Sequence, residues 1–325
     1  MSGQSVLVVR PSSLGDIVHA LSLVSDVEAH APGTVIDWVA EEAFVPLVGL
    51  DPRIRRVIPL AFRRWRRTAI LPRTLGQFRT FVHDLRGQRY GAILDLQEQV
   101  KGAIVARLAQ GRRHGFDRRN IREPLATLLD DEHHVIARDQ HFIDKARALA
   151  GAALGYAVQG PPRWKLRPPA RNVAMPQGPY AIAFHATSRD DKLWPEDAWR
   201  ALVAHFAQAS FTVLLPWGSE AEQARSLRIA HAAPNAIVPP AQSLPELATL
   251  ARSAEVVVGV DTGLTHLAAA LGTPTVSIFT TTDPALAGVA RAGVHAEDQG
   301  GNGRVPALAD VIAATARVLR DAPRC

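Results

Sequence analysis

Two strand–turn–helix junctions constrain this chain more than any other feature. The first runs from Val6-Leu7-Val8-Val9 into Pro11-Ser12-Ser13-Leu14-Gly15-Asp16. The second runs from Val256-Val257-Val258-Gly259-Val260 into Asp261-Thr262-Gly263-Leu264-Thr265-His266. An apolar run of this kind predicts a strand buried on both faces, and the turn after it predicts a helix opening. There an α/β protein presents backbone N–H groups to an anion. Two such junctions, with a basic stretch between them, predict two nucleotide-type folds facing one cleft.

The rest of the chain alternates in the same way. Strands are expected at 5–10, 35–40, 55–59, 90–95 and 112–116, and helices at 16–30, 72–88, 99–110 and 139–154. Strand–helix alternation implies a parallel sheet covered on both faces. Gly160-Pro161-Pro162-Arg163-Trp164-Lys165-Leu166-Arg167-Pro168-Pro169, followed by Pro176 and Gly178, ends regular structure and reads as a linker. Alternation resumes with strands near 180–184, 211–215, 236–238, 255–260 and 274–278. Helices are expected near 196–209, 219–231, 243–252, 263–271 and, at the tail, 306–321. The expected organisation is an N-terminal domain 1–165, a second domain 178–308, and a tail 309–325 that could pack back on the first domain. The chain has 325 residues, 47% of them hydrophobic, enough for two cores. No apolar run approaches the roughly 18 residues of a membrane span, and the N-terminus lacks a secretory signal. The one cysteine is Cys325, so no internal disulfide is expected and a reducing cytosol fits.

The net charge of +6 is uneven: Arg53, Arg55, Arg56, Arg63, Arg64, Arg66 and Arg67 fall in one stretch without an acid. Such a run is often solvated surface. With Trp65 among the arginines and Phe62 beside them, it also suits a lipid headgroup or a polyanionic saccharide. No nucleic-acid reading motif is present. Ser13 and Asp16 have the spacing of a helix-capping pair. A helix N-terminus lowers a carboxyl pKa, so Asp16 is expected to be ionised and able to take a proton from a hydroxyl. Thr187, Ser188 and Lys192, on the loop after strand 180–184, suit phosphate oxygens, although a solvated turn reads the same way. The N–H groups of Thr262 and Gly263 could cradle a diphosphate, with His266 one turn on. Asp261 would repel phosphate and suits sugar hydroxyls better. Asp130-Asp131-Glu132-His133-His134 resembles a metal set. Adjacent residues rarely converge on one ion, the acids can simply end a helix, and no Asp-x-Asp occurs, so no metal is expected.

On these residues the chain resembles the ADP-heptose:lipopolysaccharide heptosyltransferase family. The matching segments include Ser12-Ser13-Leu14-Gly15-Asp16, Asp37-Trp38-Val39-Ala40-Glu41-Glu42, Arg55-Arg56-Val57-Ile58-Pro59 and Arg122-Glu123-Pro124-Leu125-Ala126. Leu215-Pro216-Trp217-Gly218 and Asp261-Thr262-Gly263-Leu264-Thr265-His266 also match. Arg63-Arg64-Trp65-Arg66 and Arg189-Asp190-Asp191-Lys192 are specific to its type I branch. The resemblance implies an α/β GT-B architecture of two Rossmann-like doubly wound domains about a central cleft. It implies an inverting, metal-independent transfer from ADP-L-glycero-β-D-manno-heptose to the inner Kdo of Kdo2-lipid A, with no cofactor. The enzyme would be cytoplasmic, held peripherally on the inner membrane. Asp16 would be the base. Thr187, Ser188 and Lys192 would hold the diphosphate, Glu222 the ribose, Gln242 the adenine and Asp261 the heptose. Thr262, Gly263 and His266 would surround the diphosphate, with Lys192 also stabilising the leaving group. Arg63, Arg64, Arg66, Lys101 and Arg122 would meet the acidic acceptor. Three places depart from the family pattern: Glu98 for a glycine, Gln242 for a methionine, and Thr280-Thr281-Thr282 for Gly-Pro-Thr. Two other readings stay open: another ADP-sugar transferase of the same family, and a non-catalytic nucleotide-regulated protein on anionic membranes.

Overall fold

The structure, a computed structural model, describes residues 4–68, 72–169, 173–231, 233–293 and 295–321; Cys325 and part of the expected linker lie outside them. The chain divides into two units, 1–167 and 168–325. The first contains β1 (Ser5–Val9), α1 (Leu14–Leu21), α2 (Leu23–His30), β2 (Val35–Glu41), α3 (Val45–Val48), β3 (Ile54–Leu60) and α4 (Phe62–Thr68). It continues with α5 (Pro72–Arg86), β4 (Arg89–Asp95), α6 (Val100–Leu108), β5 (Gln110–Phe116), β6 (Glu132–His134) and α7 (Phe142–Leu154). The strands form one sheet in the order β3-β2-β1-β4-β5-β6, paired in parallel, with Val6 between Ile36 and Ala92.

The second unit contains β7 (Tyr180–Phe184), α8 (Glu196–Gln208), β8 (Thr212–Leu214), α9 (Glu220–Ala230), β9 (Ala236–Ile237), α10 (Leu244–Ser253) and β10 (Val256–Val260). It ends with α11 (Gly263–Ala270), β11 (Thr275–Phe279), α12 (Pro284–Ala287), β12 (Ala296–Gly300) and α13 (Leu308–Asp321). Its sheet runs β12-β11-β10-β7-β8-β9. In each sheet the chain builds one side and then returns to build the other. The reversal falls between β1 and β4 in the first unit and between β7 and β10 in the second. Such switch points open a crevice beyond the carboxyl ends of the strands, and both junctions singled out in the sequence lie there.

The predicted helix over 16–30 divides at Ser22, whose buried hydroxyl donates to the His19 carbonyl at 2.7 Å and competes with the helical ladder. Residues 132–134 form strand β6 instead of a helix end. β12, of sequence Ala-Glu-Asp-Gln-Gly, is a polar edge strand without the apolar pattern that signals a strand. The apolar face of α13 enters the second unit's own core, where Val311, Ala314 and Val318 are fully buried beside Val258 and Ile278. That corrects the idea that the tail packs back on the first domain. The proline-rich passage is partly strapped down: Trp164 donates to the Val18 carbonyl at 2.8 Å, and the Arg167 N–H to Leu50 at 2.7 Å. Residues 160–167 thus belong to the first unit. Gly259 in β10 is demanded by packing, since a Cβ there would stand 2.1 Å from the Thr265 hydroxyl of α11.

Candidate active site

At the β1 junction the Asp16 carboxylate folds back over its own helix end. Its Oδ2 accepts from the Ser13 N–H at 2.8 Å and from the Ser13 hydroxyl at 2.7 Å. Its Oδ1 lies 2.8 Å from the Arg10 guanidinium, which is itself anchored on the Leu96 carbonyl. Burial pushes the Asp16 pKa up, but Arg10 and the two Ser13 hydrogen bonds outweigh it and hold the group at about 2. The acid is therefore ionised, as expected. The first junction is not an open anion site, however, because its own carboxylate occupies it.

The loop after β4 forms the other wall of this crevice. Glu98 adopts φ +58, in the left-handed region that favours glycine. Both of its carboxylate oxygens lie 2.9 Å from the Lys145 ammonium, which also sits 5.0 Å from the Phe116 ring centre. Arg10, Asp16, Glu98, Phe116 and Lys145 line one recess. The extra negative charge of Glu98 is thus neutralised from α7. Neither Arg10 nor Lys145 was singled out by the sequence: Arg10 gains its meaning when the β1 turn folds back and Leu96 anchors it, and Lys145 when α7 meets the loop after β4. At the end of β4, burial and the nearby Asp130 push Asp95 up to about 8.

The arginine stretch separates into two groups. Arg53 is bound by Asp51 and Glu28, and Arg55 and Arg56 share the buried Asp37 with Tyr90. These three arginines fasten β3 and the turn before it to neighbouring acids. In α4, Arg64 pairs with Glu42 at 2.6 Å, Arg63 stacks 5.7 Å from the Phe44 ring, and Arg66 and Arg67 are exposed with no partner among the described residues. The buried Glu41 accepts from the Arg63 backbone. Glu41 and Glu42 therefore position the basic helix. Glu123 caps α6 through the Val100 N–H at 2.8 Å. That brings Arg122, which precedes the cap, and Lys101, in the first turn, to one helix end.

In the second unit the β7 and β10 loops meet. Lys192 lies 2.6 Å from Asp261 Oδ2, and His266 Nε2 is 3.3 Å from its Oδ1. The Thr187 hydroxyl donates to the Asp261 carbonyl at 3.2 Å. Burial opposes ionisation of Asp261, but His266 and Lys192 together hold its pKa far below the carboxylate range. Lys192 is thus not an isolated cation, although an ammonium has two donors left beyond one carboxylate. Ser188 is exposed at the same loop. The α11 N-terminus has no side-chain cap, so the N–H groups around Thr262 and Gly263 remain for an anion. Thr280 donates to the Asp191 carbonyl at 2.7 Å and Thr281 reaches its carboxylate; the unusual threonine run therefore braces the lysine loop. One strand out, Glu222 accepts from the Gly218 N–H at 2.7 Å. Next along, Gln242 donates to the Pro240 carbonyl at 3.0 Å. Trp217, whose indole donates to the Pro239 carbonyl at 2.8 Å, joins these two loops.

Four of the five residues of the 130–134 segment are spent separately, while buried Asp130 has no hydrogen bond to its carboxylate among the described residues. Asp131 and Glu132 pair with Arg113 and Arg112, His133 bonds the Thr127 carbonyl at 2.8 Å, and His134 stacks on His114.

The model of glycosyltransferase family 9 (heptosyltransferase) matches residues 78–296. The chain belongs to glycosyltransferase family 9. It is 39% identical over 287 residues to lipopolysaccharide heptosyltransferase 1 of Escherichia coli (strain K12), covering 87% of this chain and 90% of that one. The solved structure of E. coli heptosyltransferase WaaC with ADP matches with a TM-score of 0.85 at 36% identity, over 96% of this chain and 97% of that one. The same enzyme with ADP-2-deoxy-2-fluoro heptose matches with a TM-score of 0.81 at 35% identity, over 93% and 95%. This family 9 chain is a glycosyltransferase with the GT-B fold, each unit being one of its two α/β halves.

Proposed function

We propose that the chain is an inverting heptosyltransferase that moves L-glycero-D-manno-heptose from ADP-heptose to the inner Kdo of Kdo2-lipid A, in lipopolysaccharide core synthesis. In this reading it works at the cytoplasmic face of the inner membrane. The observation that carries the donor assignment is the order of loops along the second sheet. The diphosphate candidates stand at the β10–β7 switch point, Glu222 follows β8, and the Gln242 segment follows β9. Diphosphate, ribose and adenine are linked in that same order.

The chemistry follows from the charges. Asp16 takes the proton of the attacking hydroxyl. At a pKa of about 2 it is a weak base, so transfer comes late, once bond formation to the anomeric carbon has acidified the hydroxyl. The sugar passes through an oxocarbenium-like state and ADP leaves with growing negative charge. Lys192, the hydroxyls of Thr187 and Ser188, and the uncapped α11 N-terminus are preorganised to stabilise that charge. Asp261 keeps Lys192 in place and is free to bind heptose hydroxyls through its remaining lone pairs.

The deciding assay is ADP release from ADP-heptose, measured with and without Kdo2-lipid A. Acceptor-dependent release and a heptosylated lipid are expected. Release with a different acidic acceptor only would assign another transferase of the same family, and ADP binding without turnover would reduce the protein to a membrane-bound nucleotide sensor.

A further inference from the structure

We propose that an apolar pocket beside the Ser12–Asp16 turn receives an acyl chain of the acceptor, so that one amphiphile places its acidic sugar at Asp16 and its tail between α4, α5 and α6. The proposal rests on the lipid-acceptor reading above and adds to it a binding site for the lipid part.

The pocket encloses about 300 Å³, the space of roughly ten water molecules. Phe62 and Trp65 of α4, Phe78 and Phe81 of α5, and Ile104 and Leu108 of α6 form its walls. Trp65 is fixed there. Its indole N–H donates to Gln77 at 3.2 Å, and its ring meets Phe78 and Phe81 edge-on at 5.8 and 5.6 Å. Phe62, Phe78 and Ile104 remain 39%, 39% and 49% exposed, an apolar cluster that water cannot satisfy by hydrogen bonding.

The surroundings specify the occupant. Phe62 and Trp65 are three residues apart and share one face of α4, while exposed Arg63, Arg64, Arg66 and Arg67 lie between and after them on that helix. Lys101 and Glu41 stand at the pocket wall, and so does Ser12, of the same turn as Asp16. A pocket with apolar walls, a predominantly cationic surround and the Asp16 turn beside it complements a molecule with a hydrocarbon tail and an anionic sugar head. A neutral hydrocarbon would leave the cations unused, and a free acidic saccharide would leave the pocket unfilled.

The binding test uses dodecyl phosphate and hexyl phosphate, both below micelle-forming concentrations, titrated calorimetrically into the full chain. Each buried methylene changes affinity by about fourfold, so the longer chain should bind at least about tenfold tighter. Ile104→Trp, which fills the pocket from an exposed helix position, should shrink that difference to about twofold; Ile104→Val should keep it. The kinetic test compares KM for Kdo2-lipid A with KM for its fully deacylated form. Wild type should favour the acylated acceptor, and Ile104→Trp should bring the ratio towards one. Equal affinity for the two alkyl phosphates, or an unchanged KM ratio in Ile104→Trp, overturns the proposal. So does a concentration-dependent dimer that Ile104→Trp abolishes, which would assign the pocket to a second copy of the chain. If neither acceptor is turned over while chain-length dependence persists, the acceptor assignment fails and the pocket stands.

Discussion

Asp16 shows how little of a residue's chemistry lies in its identity. Its spacing from Ser13 gave the cap, but its pKa of about 2 depends on Arg10, six residues earlier in the chain. Asp16→Asn keeps the shape and cannot accept a proton, so turnover should fall about 100- to 10,000-fold with ADP affinity retained; near-normal turnover would remove Asp16 from the mechanism. The pH profile follows by sign. A depressed carboxyl stays ionised down to its own pKa, so the acid limb of kcat/KM set by Asp16 lies near pH 2. In Arg10→Met the limb should rise towards the ordinary aspartate value of about 3.9; an unmoved limb would show that Arg10 does not tune the base. On the donor side, Lys192→Ala should weaken ADP binding and also slow transfer, with roughly 3–4 kcal/mol lost from the transition state. It also leaves Asp261 without its cation. Unchanged ADP affinity and rate would disprove the phosphate role of that loop.

At the scale of elements, the basic stretch is two devices. Arg53, just before β3, and Arg55 and Arg56 within it pair with Asp51, Glu28 and Asp37, while α4 carries exposed Arg63, Arg66 and Arg67 beside an Arg64 that pairs with Glu42. Replacing Arg63, Arg64 and Arg66 together by alanine should raise KM for Kdo2-lipid A and weaken adsorption to anionic vesicles, with ADP affinity nearly unchanged. Adsorption of the wild-type chain should decline with salt, since exposed charges are screened within about 8–10 Å. Loss of ADP affinity with an intact acceptor KM would reverse the assignment of the two units. The split was hidden in the sequence because Asp37, Glu42 and Asp51 precede the arginines they bind, and the strand register that joins Asp37 to Arg56 is tertiary. β6 and β12 were hidden for a related reason: edge strands need no buried alternation, so nothing in their residues signals a strand.

For the whole molecule, two sheets that each reverse order at one point give two crevices, and the chain equips them differently. The first holds an ionised carboxylate on its own helix end; the second leaves a helix end uncapped beside a lysine. In the proposed reading the chain supplies the positive charge at the donor, and transfer is expected to persist in excess EDTA. Activity lost on chelation and restored by magnesium or manganese would refute this. The sequence by itself determined the alternation of strands and helices and both junctions, because a buried parallel strand and a helix opening impose local patterns of hydrophobicity and turn chemistry. Only the tertiary structure decided which charges are spent and which remain. Lys145 on Glu98 and Lys192 on Asp261 are pairings between separate segments, and no local pattern encodes a partner that the fold brings in from elsewhere.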